Sequence, residues 1–281
     1  MKFKRIIGRL DIKGPNLVKG IHLEGLRVIG NPETFAESYY KEGIDELIYQ
    51  DVVASLYGRN SLLDIIKKTA QNISIPLSVG GGIRSIEDIK KILNSGADKI
   101  IINTIATKEP NFINQASRIF GASTIVVALE VLKSKNKKYY AYTDNGREFT
   151  GLEAISWARE VEKRGAGEIF LTSIDQEGTG SGFDIDLIKK IANSVKIPVI
   201  AHGGAGNFNH IKNLLIDTKV DGAALASIFH YDYFFKLKKK MNFNIEGNKN
   251  FINNFVDNKK KKISISSLKK FLKKNYINVR I

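Results

Sequence analysis

Residues 75–93 read IPLSVGGGIRSIEDIKKIL, and 122 positions later residues 197–215 read IPVIAHGGAGNFNHIKNLL. Each stretch has a short apolar run, a glycine-rich turn and a segment with apolar residues at helical spacing, which predicts a strand, a turn and a helix. The same offset places GIDELIYQD, from Gly43, over GAGEIFLTS, from Gly165. The chain therefore contains an internal repeat of two similar halves.

Eight short runs rich in β-branched residues alternate with helical patterns such as SIEDIKKILNSGA and GLEAISWAREVEKRGA. The runs are RIIGRLDI, ELIYQDV, IPLSVGG, KIIINT, TIVVALEV, EIFLTSID, IPVIAHGG and GAALASIF. Eight such units in roughly 235 residues predict an α/β fold, a closed (β/α)8 TIM barrel, with an open doubly wound sheet as the alternative. The repeat favours the barrel, because two four-stranded halves close into one ring without exposed sheet edges. We interpret residues 1–281 as a single barrel domain.

The charge of the chain is unevenly distributed. The formal charge is +15, but in residues 236–281 the basic residues exceed the acidic ones by twelve, so the rest of the chain is close to neutral. We therefore do not expect a nucleic-acid partner. Residues 236–262 have the composition of a Lys/Asn-rich insertion before the last helix. We expect this insertion to be an exposed loop, with contact to a partner as the alternative.

Several function classes are excluded by what the sequence lacks. It contains no cysteine, and its four histidines do not have metal-binding spacing, so we predict no metal site and no bound cofactor. Its apolar runs are far shorter than the ~20 residues needed to cross a bilayer, and no N-terminal signal pattern is visible. We expect a soluble, cytoplasmic protein with no membrane span.

An acidic residue interrupts the apolar stretch TIVVALEVL, residues 124–132. At an offset of 119, the first strand GRLDI overlays VALEV, so Asp11 and Glu130 hold equivalent positions in the two halves. The first and fifth strands of an eight-stranded ring face each other, and both acids fall at C-terminal strand ends, where barrel active sites are built. We predict a pair of catalytic carboxylates in one mouth, although either acid could instead cap a helix or pair with a lysine.

Glycine-rich turns follow the third and seventh strands, VGGGI at residues 79–83 and HGGAG at residues 202–206. Glycine lets the backbone approach a ligand closely, and consecutive N–H groups can converge on an anion. Polar residues follow the next strand of each half, and QEGTGSG at residues 176–182 would add further donors. These features predict two anion sites, for a ligand with a phosphate at each end.

A second charged group is predicted at the opposite end of the barrel. Two cations and two anions stand at strand starts: Arg5, Glu46, Lys99 and Glu168. Charges directed into a barrel floor are unfavourable unless they are paired, so we expect a closed ion ring. Such a ring could be functional or only a structural layer.

These residues resemble a known family. The segments KRIIGRLDI, LVKG, DELIYQDVVAS, VGGGIRSIEDIKKILNSGADKIIINT, RGAGEIFLTSIDQEGTGSGFD, IPVIAHGGAG and LASIFH are similar to the cyclase subunit of imidazole glycerol phosphate synthase. The resemblance runs from about residue 3 to residue 235 and resumes at SSLKKFLKKNYINVRI. It implies a lyase of histidine biosynthesis that forms a heterodimer with a glutaminase subunit docked on the N-terminal face. Ammonia would pass through the barrel and attack a bisphosphorylated ribulosyl imidazolecarboxamide nucleotide at the mouth.

The resemblance also implies roles for individual residues. Asp11 matches a catalytic aspartate, and Asp98 sits where the family contacts its glutaminase. The ring of Arg5, Glu46, Lys99 and Glu168 matches the family's ammonia gate. The implied substrate and phosphate contacts are Lys19, Asp51, Gly81, Gly82, Asn103, Thr104, Thr172, Gly178, Gly203, Gly204 and Ser227.

Four positions in the mouth depart from the family pattern. Glu130 stands where the family has its second catalytic aspartate, and Asn31, Glu177 and His202 replace Asp, Asp and Ser. The departures suggest an alternative interpretation, a paralogue that uses ammonia to aminate or amidate a sugar in surface-polysaccharide synthesis. A further alternative is a non-catalytic barrel that binds phosphorylated metabolites or acts as a scaffold for the glutaminase.

Overall fold

The computed structural model describes residues 2–53, 62–239 and 263–281. These residues form a twelve-stranded sheet. Its strands are β1 (Arg5–Lys13), β2 (Asn16–Ile21), β3 (Glu24–Gly30), β4 (Glu46–Asp51), β5 (Leu77–Gly80), β6 (Lys99–Ile102), β7 (Ile125–Lys133), β8 (Tyr139–Thr143), β9 (Glu148–Glu153), β10 (Glu168–Ser173), β11 (Val199–His202) and β12 (Gly222–Leu225).

Eight of these strands close into a parallel ring in the order β1, β4, β5, β6, β7, β10, β11, β12. Closure is made by β12, which pairs with β1 from Arg5 opposite Gly222 to Gly8 opposite Leu225. Since β7 pairs with both β6 and β10, the two halves of the repeat meet without a free edge. The predicted (β/α)8 barrel is confirmed, and the alternative of an open sheet is wrong.

Helices cover the outside of the ring. In the described residues they are α1 (Pro32–Lys41), α2 (Leu63–Ala70), α3 (Ile86–Asn94), α4 (Thr104–Lys108), α5 (Asn111–Phe120), α6 (Ala154–Lys163), α7 (Ile185–Ser194), α8 (Phe208–Asp217), α9 (Ser227–Lys239) and α10 (Ile265–Lys274). Local sequence sets their starts: Ser85 and Asp88 form a capping box on α3, and Asn207 caps α8. The first four residues of the predicted insertion still belong to α9, and residues 240–262 lie outside the described residues.

Two β-hairpins were not predicted from the sequence. The strands β2 and β3 pair antiparallel and extend β1, and β8 and β9 do the same for β7. Each half of the barrel therefore begins with a long strand followed by a hairpin above the C-terminal end of the ring. The half-barrel repeat extends to these hairpins.

The interior of the barrel has three layers. Side chains alternate along a strand, so residues 5, 7, 9 and 11 of β1 share its inner face. Apolar residues fill the middle layer: Ile7, Ile48, Ile101, Val126, Ala128, Phe170, Ile200 and Ala224. A charged layer lies at the N-terminal end and a polar layer at the C-terminal end, and a larger apolar core packs between the strands and the helices. The middle layer therefore separates two polar ends of one barrel.

Candidate active site

Asp11 lies near the C-terminal end of β1, and only 3% of it is exposed. Arg9, two residues earlier on the same face, donates from Nε to Asp11 Oδ1 at 2.7 Å. Arg9 is itself 1% exposed, so both charges are buried. The mouth therefore contains an ion pair. Its basic member, Arg9, was not predicted from the sequence. The signal was present, because Arg9 lies between Arg5 and Asp11 on the inner face of β1.

Glu130 occupies the matching position on β7, the strand four places from β1 around the ring. It is 8% exposed, and the Gly146 N–H donates to its Oε2 at 2.8 Å. Burial raises the pKa of Glu130 to about 7; the Arg9 guanidinium and the Gly146 N–H oppose this rise, and the charges of Asp11 and Asp144 add to it. Glu130 can therefore carry a proton near neutral pH, in the electrostatic field of the ion-paired Asp11.

One cavity of the mouth contains the first predicted anion site. Its lining includes Asp51, Gly81, Gly82, Asn103, Thr104 and Glu130. Gly81 and Gly82 have φ angles of +102° and +70°, and a Cβ at Gly81 would lie 2.3 Å from the carbonyl oxygen of Asp51. Only glycine tolerates both a positive φ angle and the lack of room for a Cβ. These glycines therefore let the backbone of the turn lie close to the end of β4. The structure thus brings these predicted residues together beside one of the two acids.

A second cavity contains the other predicted site. Its lining includes Gly178, Gly203, Gly204 and Ser227, together with Tyr231, which was not predicted. The Tyr231 hydroxyl hydrogen-bonds the Ser227 side chain, and burial raises the pKa of Tyr231 to about 12. At neutral pH this hydroxyl is therefore a neutral group beside the glycine turns. The sequence signal that could have predicted Tyr231 was its position one helical turn after Ser227 in α9.

Lys19 and Glu177 form a buried ion pair at the mouth. The Leu23 N–H donates to the second oxygen of Glu177 at 3.1 Å. Burial acts to raise the pKa of Glu177, but Lys19 and Arg9 outweigh it and hold that pKa below its usual value. Glu177 therefore fastens the β2–β3 hairpin to the loop after β10 as a charged group.

The tips of the two hairpins meet above the mouth. The Asn145 side chain donates from Nδ2 to the Leu23 carbonyl at 2.6 Å. Leu23 and Asn145 have φ angles of +62° and +60° and stand 122 positions apart, so they occupy matching places in the two halves. On the far side, the Thr104 hydroxyl donates to Asp144 Oδ1 at 3.2 Å. The hairpins thus form a joined cover over the mouth.

Two further polar residues line the inner wall of the mouth. The Thr172 hydroxyl on β10 accepts from Arg9 Nη1 at 3.4 Å. The Nδ1 atom of His202 lies 2.9 Å from the Ala224 carbonyl, which can only accept, so Nδ1 carries the proton. Burial lowers the pKa of His202 to about 3, and the Arg9 charge adds to this effect. His202 is therefore a neutral ring in the mouth.

Asn31, the remaining departure from the family pattern, has a local explanation. Asn31 is the N-cap of α1, and its Oδ1 accepts from the backbone N–H groups of Glu33 at 2.9 Å and Thr34 at 3.2 Å. Asn and Asp are comparable N-cap residues. This replacement is therefore accounted for by helix capping.

At the N-terminal end of the barrel the four charged side chains form the expected closed ring. Arg5 bridges the two acids, with Nη1 at 3.0 Å from Glu46 Oε1 and Nη2 at 2.6 Å from Glu168 Oε2. Lys99 bridges the same two acids at 3.2 and 3.5 Å. Beside the ring, Asp98 is exposed, and one carboxylate oxygen accepts from the Leu77 N–H at 2.8 Å. Asp98 therefore joins two strand starts and still faces outward.

A closed barrel whose C-terminal mouth holds two carboxylates and two glycine-lined cavities has the architecture of the (β/α)8-barrel enzymes, whose active sites lie at this end. Comparison with known proteins identifies the family. Residues 5–234 match the histidine biosynthesis protein family. The chain is 58% identical over 202 residues to the imidazole glycerol phosphate synthase subunit HisF of Legionella pneumophila, which covers 72% of this chain and 95% of that protein.

Two further relatives have the same name. The HisF subunit of Sulfurisphaera tokodaii is 48% identical over 88% of this chain and 97% of its own length. That of Alkaliphilus metalliredigens is 45% identical over 82% of this chain and 91% of its own length. The chain belongs to the HisF family, the cyclase subunits of imidazole glycerol phosphate synthase, a lyase of histidine biosynthesis.

These comparisons support the first of the three interpretations drawn from the sequence. The word subunit in the relatives' name implies that such a protein works with a partner subunit. Within the described ranges, no helix has the length and apolar character needed to span a membrane.

Proposed function

We propose that this chain uses ammonia to convert a bisphosphorylated ribulosyl imidazolecarboxamide nucleotide into imidazole glycerol phosphate and aminoimidazole carboxamide ribotide. The observation that carries the proposal is that two buried acids and two glycine-lined cavities share one barrel mouth. One cavity is lined by Gly81 and Gly82 beside Glu130, and the other by Gly203 and Gly204. A ligand with a phosphate at each end fits such a mouth, because glycine turns let backbone N–H groups approach an anion.

The two acids suit different roles in this reaction. Ammonia attack on a carbonyl needs a base to remove a proton from nitrogen and an acid to protonate the departing oxygen as water forms. Asp11, ion-paired with Arg9, is suited to be the base. Glu130, whose pKa is raised to about 7, is suited to be the acid. The same pair could serve the later cleavage and ring closure.

Ammonia is proposed to enter from the opposite end. The ring of Arg5, Glu46, Lys99 and Glu168 stands at the N-terminal end of the barrel, with the apolar layer between it and the mouth. We infer that a glutaminase subunit docks on this face, in contact with Asp98, and that the pair works in the cytoplasm. A paired ring can open by movement of one side chain, which is what a gate requires.

The test is turnover of the bisphosphorylated ribotide by the purified chain with an ammonium salt, which replaces the partner's ammonia. We expect both products to form, and Asp11→Asn to lower kcat by at least about 100-fold, because general acid–base catalysis contributes on that order. Chromatography of the two products is the measurement.

Asp217→Asn is the matched control, because Asp217 is an exposed carboxylate at the end of α8. This variant should keep the activity of the unmodified chain. Absence of product with folded protein would refute the proposed reaction, and full activity of Asp11→Asn would refute the role of Asp11.

A further inference from the structure

Arg9 is a buried cation that takes no direct part in the proposed proton transfers. Its side chain starts on β1 and reaches toward β10, which is three places away around the ring. There its guanidinium carbon lies 5.5 Å from the centre of the Phe170 ring, and Nη1 lies 3.4 Å from Thr172 Oγ1. The side chain therefore extends across the barrel interior, between the apolar layer and the mouth.

The contacts of Arg9 are concentrated on the acids of the mouth. Among the described residues, Arg9 is the side chain that hydrogen-bonds the Asp11 carboxylate. Its charge also lowers the pKa values of Glu130 and Glu177. One guanidinium thus acts on three carboxylates, and Asp11 is the nearest.

Stability is a poor explanation for this arrangement. Removing two charges from water is unfavourable, and apolar residues of similar volume often replace a buried ion pair without loss of stability. Arg9 is 1% exposed and stands directly above the apolar layer, where an apolar side chain would pack against Phe170. A charged residue at this position is more readily explained by its effect on Asp11.

We propose that Arg9 is a positioning residue that holds Asp11 as an oriented carboxylate and thereby assigns the base to Asp11 and the acid to Glu130. This inference rests on the proposed function. Without Arg9 the Asp11 carboxylate would lose its hydrogen-bonded cation, and its orientation would no longer distinguish it from Glu130. The surrounding charged and titratable groups are Lys19 on β2, Asp144 in the β8–β9 turn, Glu177 after β10, His202 on β11 and His230 on α9.

The experiment measures kcat and KM against pH for ammonium-dependent turnover by the unmodified chain, Arg9→Gln and Arg9→Lys. We expect Arg9→Gln to lower kcat by about 100-fold with little change in KM, since acid–base catalysis contributes on that order. Loss of the Arg9 cation makes the Glu130 carboxyl harder to ionise, so the high-pH limb of the kcat profile, which reports the acid, should move to higher pH. Arg9→Lys keeps the charge and should restore the position of this limb.

Arg118→Gln is the matched control, because Arg118 is an exposed arginine on α5. It should leave kcat and the profile unchanged. The proposal would be overturned if folded Arg9→Gln had the same pH profile of kcat as the unmodified chain. It would also be overturned if the profile of Arg9→Lys were displaced as far as that of Arg9→Gln. Thermal unfolding establishes that each variant is folded, and Arg9→Met replaces Arg9→Gln if the latter does not fold.

A second measurement separates this proposal from the proposed function. Carboxyl carbon NMR follows the titration of Glu130 directly and needs no substrate. If the unmodified chain does not turn over the ribotide, the proposed function fails, and the titration alone decides the role of Arg9. We expect Glu130 to titrate at higher pH in Arg9→Gln than in the unmodified chain, and an unchanged titration would contradict the inference.

Discussion

At the scale of single residues, burial decides the chemistry of the mouth. Glu130 and His202 are both shielded from water, and each is shifted toward its neutral form, with pKa values of about 7 and about 3. Glu177 is buried as well, but Lys19 pairs with it and keeps it charged. The state of each group thus depends on whether an opposite charge lies next to it.

The raised pKa of Glu130 predicts a pH-dependent stability. The folded pKa of about 7 lies above the ordinary value of 4.5, so the unfolded chain ionises first, and this site loses stability as the pH rises from about 5 to 8. Glu130→Gln removes this dependence and should be more stable than the unmodified chain by up to about 3 kcal/mol at pH 8, at 1.36 kcal/mol per pKa unit. Urea unfolding at pH 5 and pH 8 measures the difference.

The control for this prediction is Glu109→Gln, which alters an exposed glutamate. Its stability relative to the unmodified chain should be the same at both pH values. If the difference in the free energy of unfolding between Glu130→Gln and the unmodified chain stays constant from pH 5 to pH 8, the assigned pKa of Glu130 is contradicted.

At the scale of elements, the two hairpins convert an open barrel end into a covered site. They occupy matching places in the two halves, since each extends the first strand of its half. Their tips contain non-glycine residues with positive φ angles, Leu23 and Asn145, which are joined by the hydrogen bond at 2.6 Å. Asparagine tolerates this backbone region better than most residues. The cover is therefore held by a specific contact and does not depend on apolar packing alone.

This contact predicts the effect of Asn145→Gly. Glycine keeps the backbone conformation, so the variant removes the side-chain hydrogen bond to Leu23 and the Asn145 side chain from the lining of the first cavity. We expect a loss of about 1–3 kcal/mol in the free energy of unfolding, because a buried carbonyl is left without its donor. Amide hydrogen exchange in residues 16–30 should become faster, and KM for the bisphosphorylated substrate should rise.

Lys137→Gly is a matched control, because Lys137 is an exposed residue with a φ angle of +64° in the β7–β8 turn. It should leave exchange in the first hairpin unchanged. Equal exchange rates in Asn145→Gly and the unmodified chain would show that the tips are held by other contacts.

At the scale of the whole molecule, the barrel separates a charged ring at one end from a mixed-charge mouth at the other. The apolar layer between them contains eight side chains from seven strands. Passage along the axis would start at a ring in which each cation contacts both acids. A change in one member therefore affects all four charges.

Lys99→Met tests whether the ring acts as a gate. It leaves Arg5 to pair both acids, and the proposed function predicts that turnover with the glutaminase partner and glutamine changes by roughly tenfold or more, equivalent to about 1.4 kcal/mol. Turnover with an ammonium salt should stay close to that of the unmodified chain, because this ammonia can reach the mouth from solvent. The ratio of the two rates is the measurement.

Lys108→Met changes an exposed lysine that approaches Glu148 at 4.0 Å, and it serves as the control. Its ratio should match that of the unmodified chain. If Lys99→Met lowers both rates by the same factor, the ring is a structural layer and not a gate.

The sequence by itself determined the barrel, its repeat and most of the mouth. Strand and helix periodicity are local properties, and the positions of Asp11, Glu130 and the glycine turns at strand ends follow from them once the ring closes. The closed ion ring was likewise expected, because charges in a barrel floor need partners. Each of these inferences needed only the order of elements along the chain.

Only the tertiary structure decided which charges meet. Arg9 is a single basic residue in a strand, and its partnership with Asp11 and its reach to Thr172 depend on the closed ring. The hairpins are short and irregular, so their position above the mouth depends on contacts between distant segments, such as Asn145 with Leu23. The pKa of Glu130 depends on burial and on charges from several strands. These are properties of distance in space, and a linear pattern of residue types does not contain them.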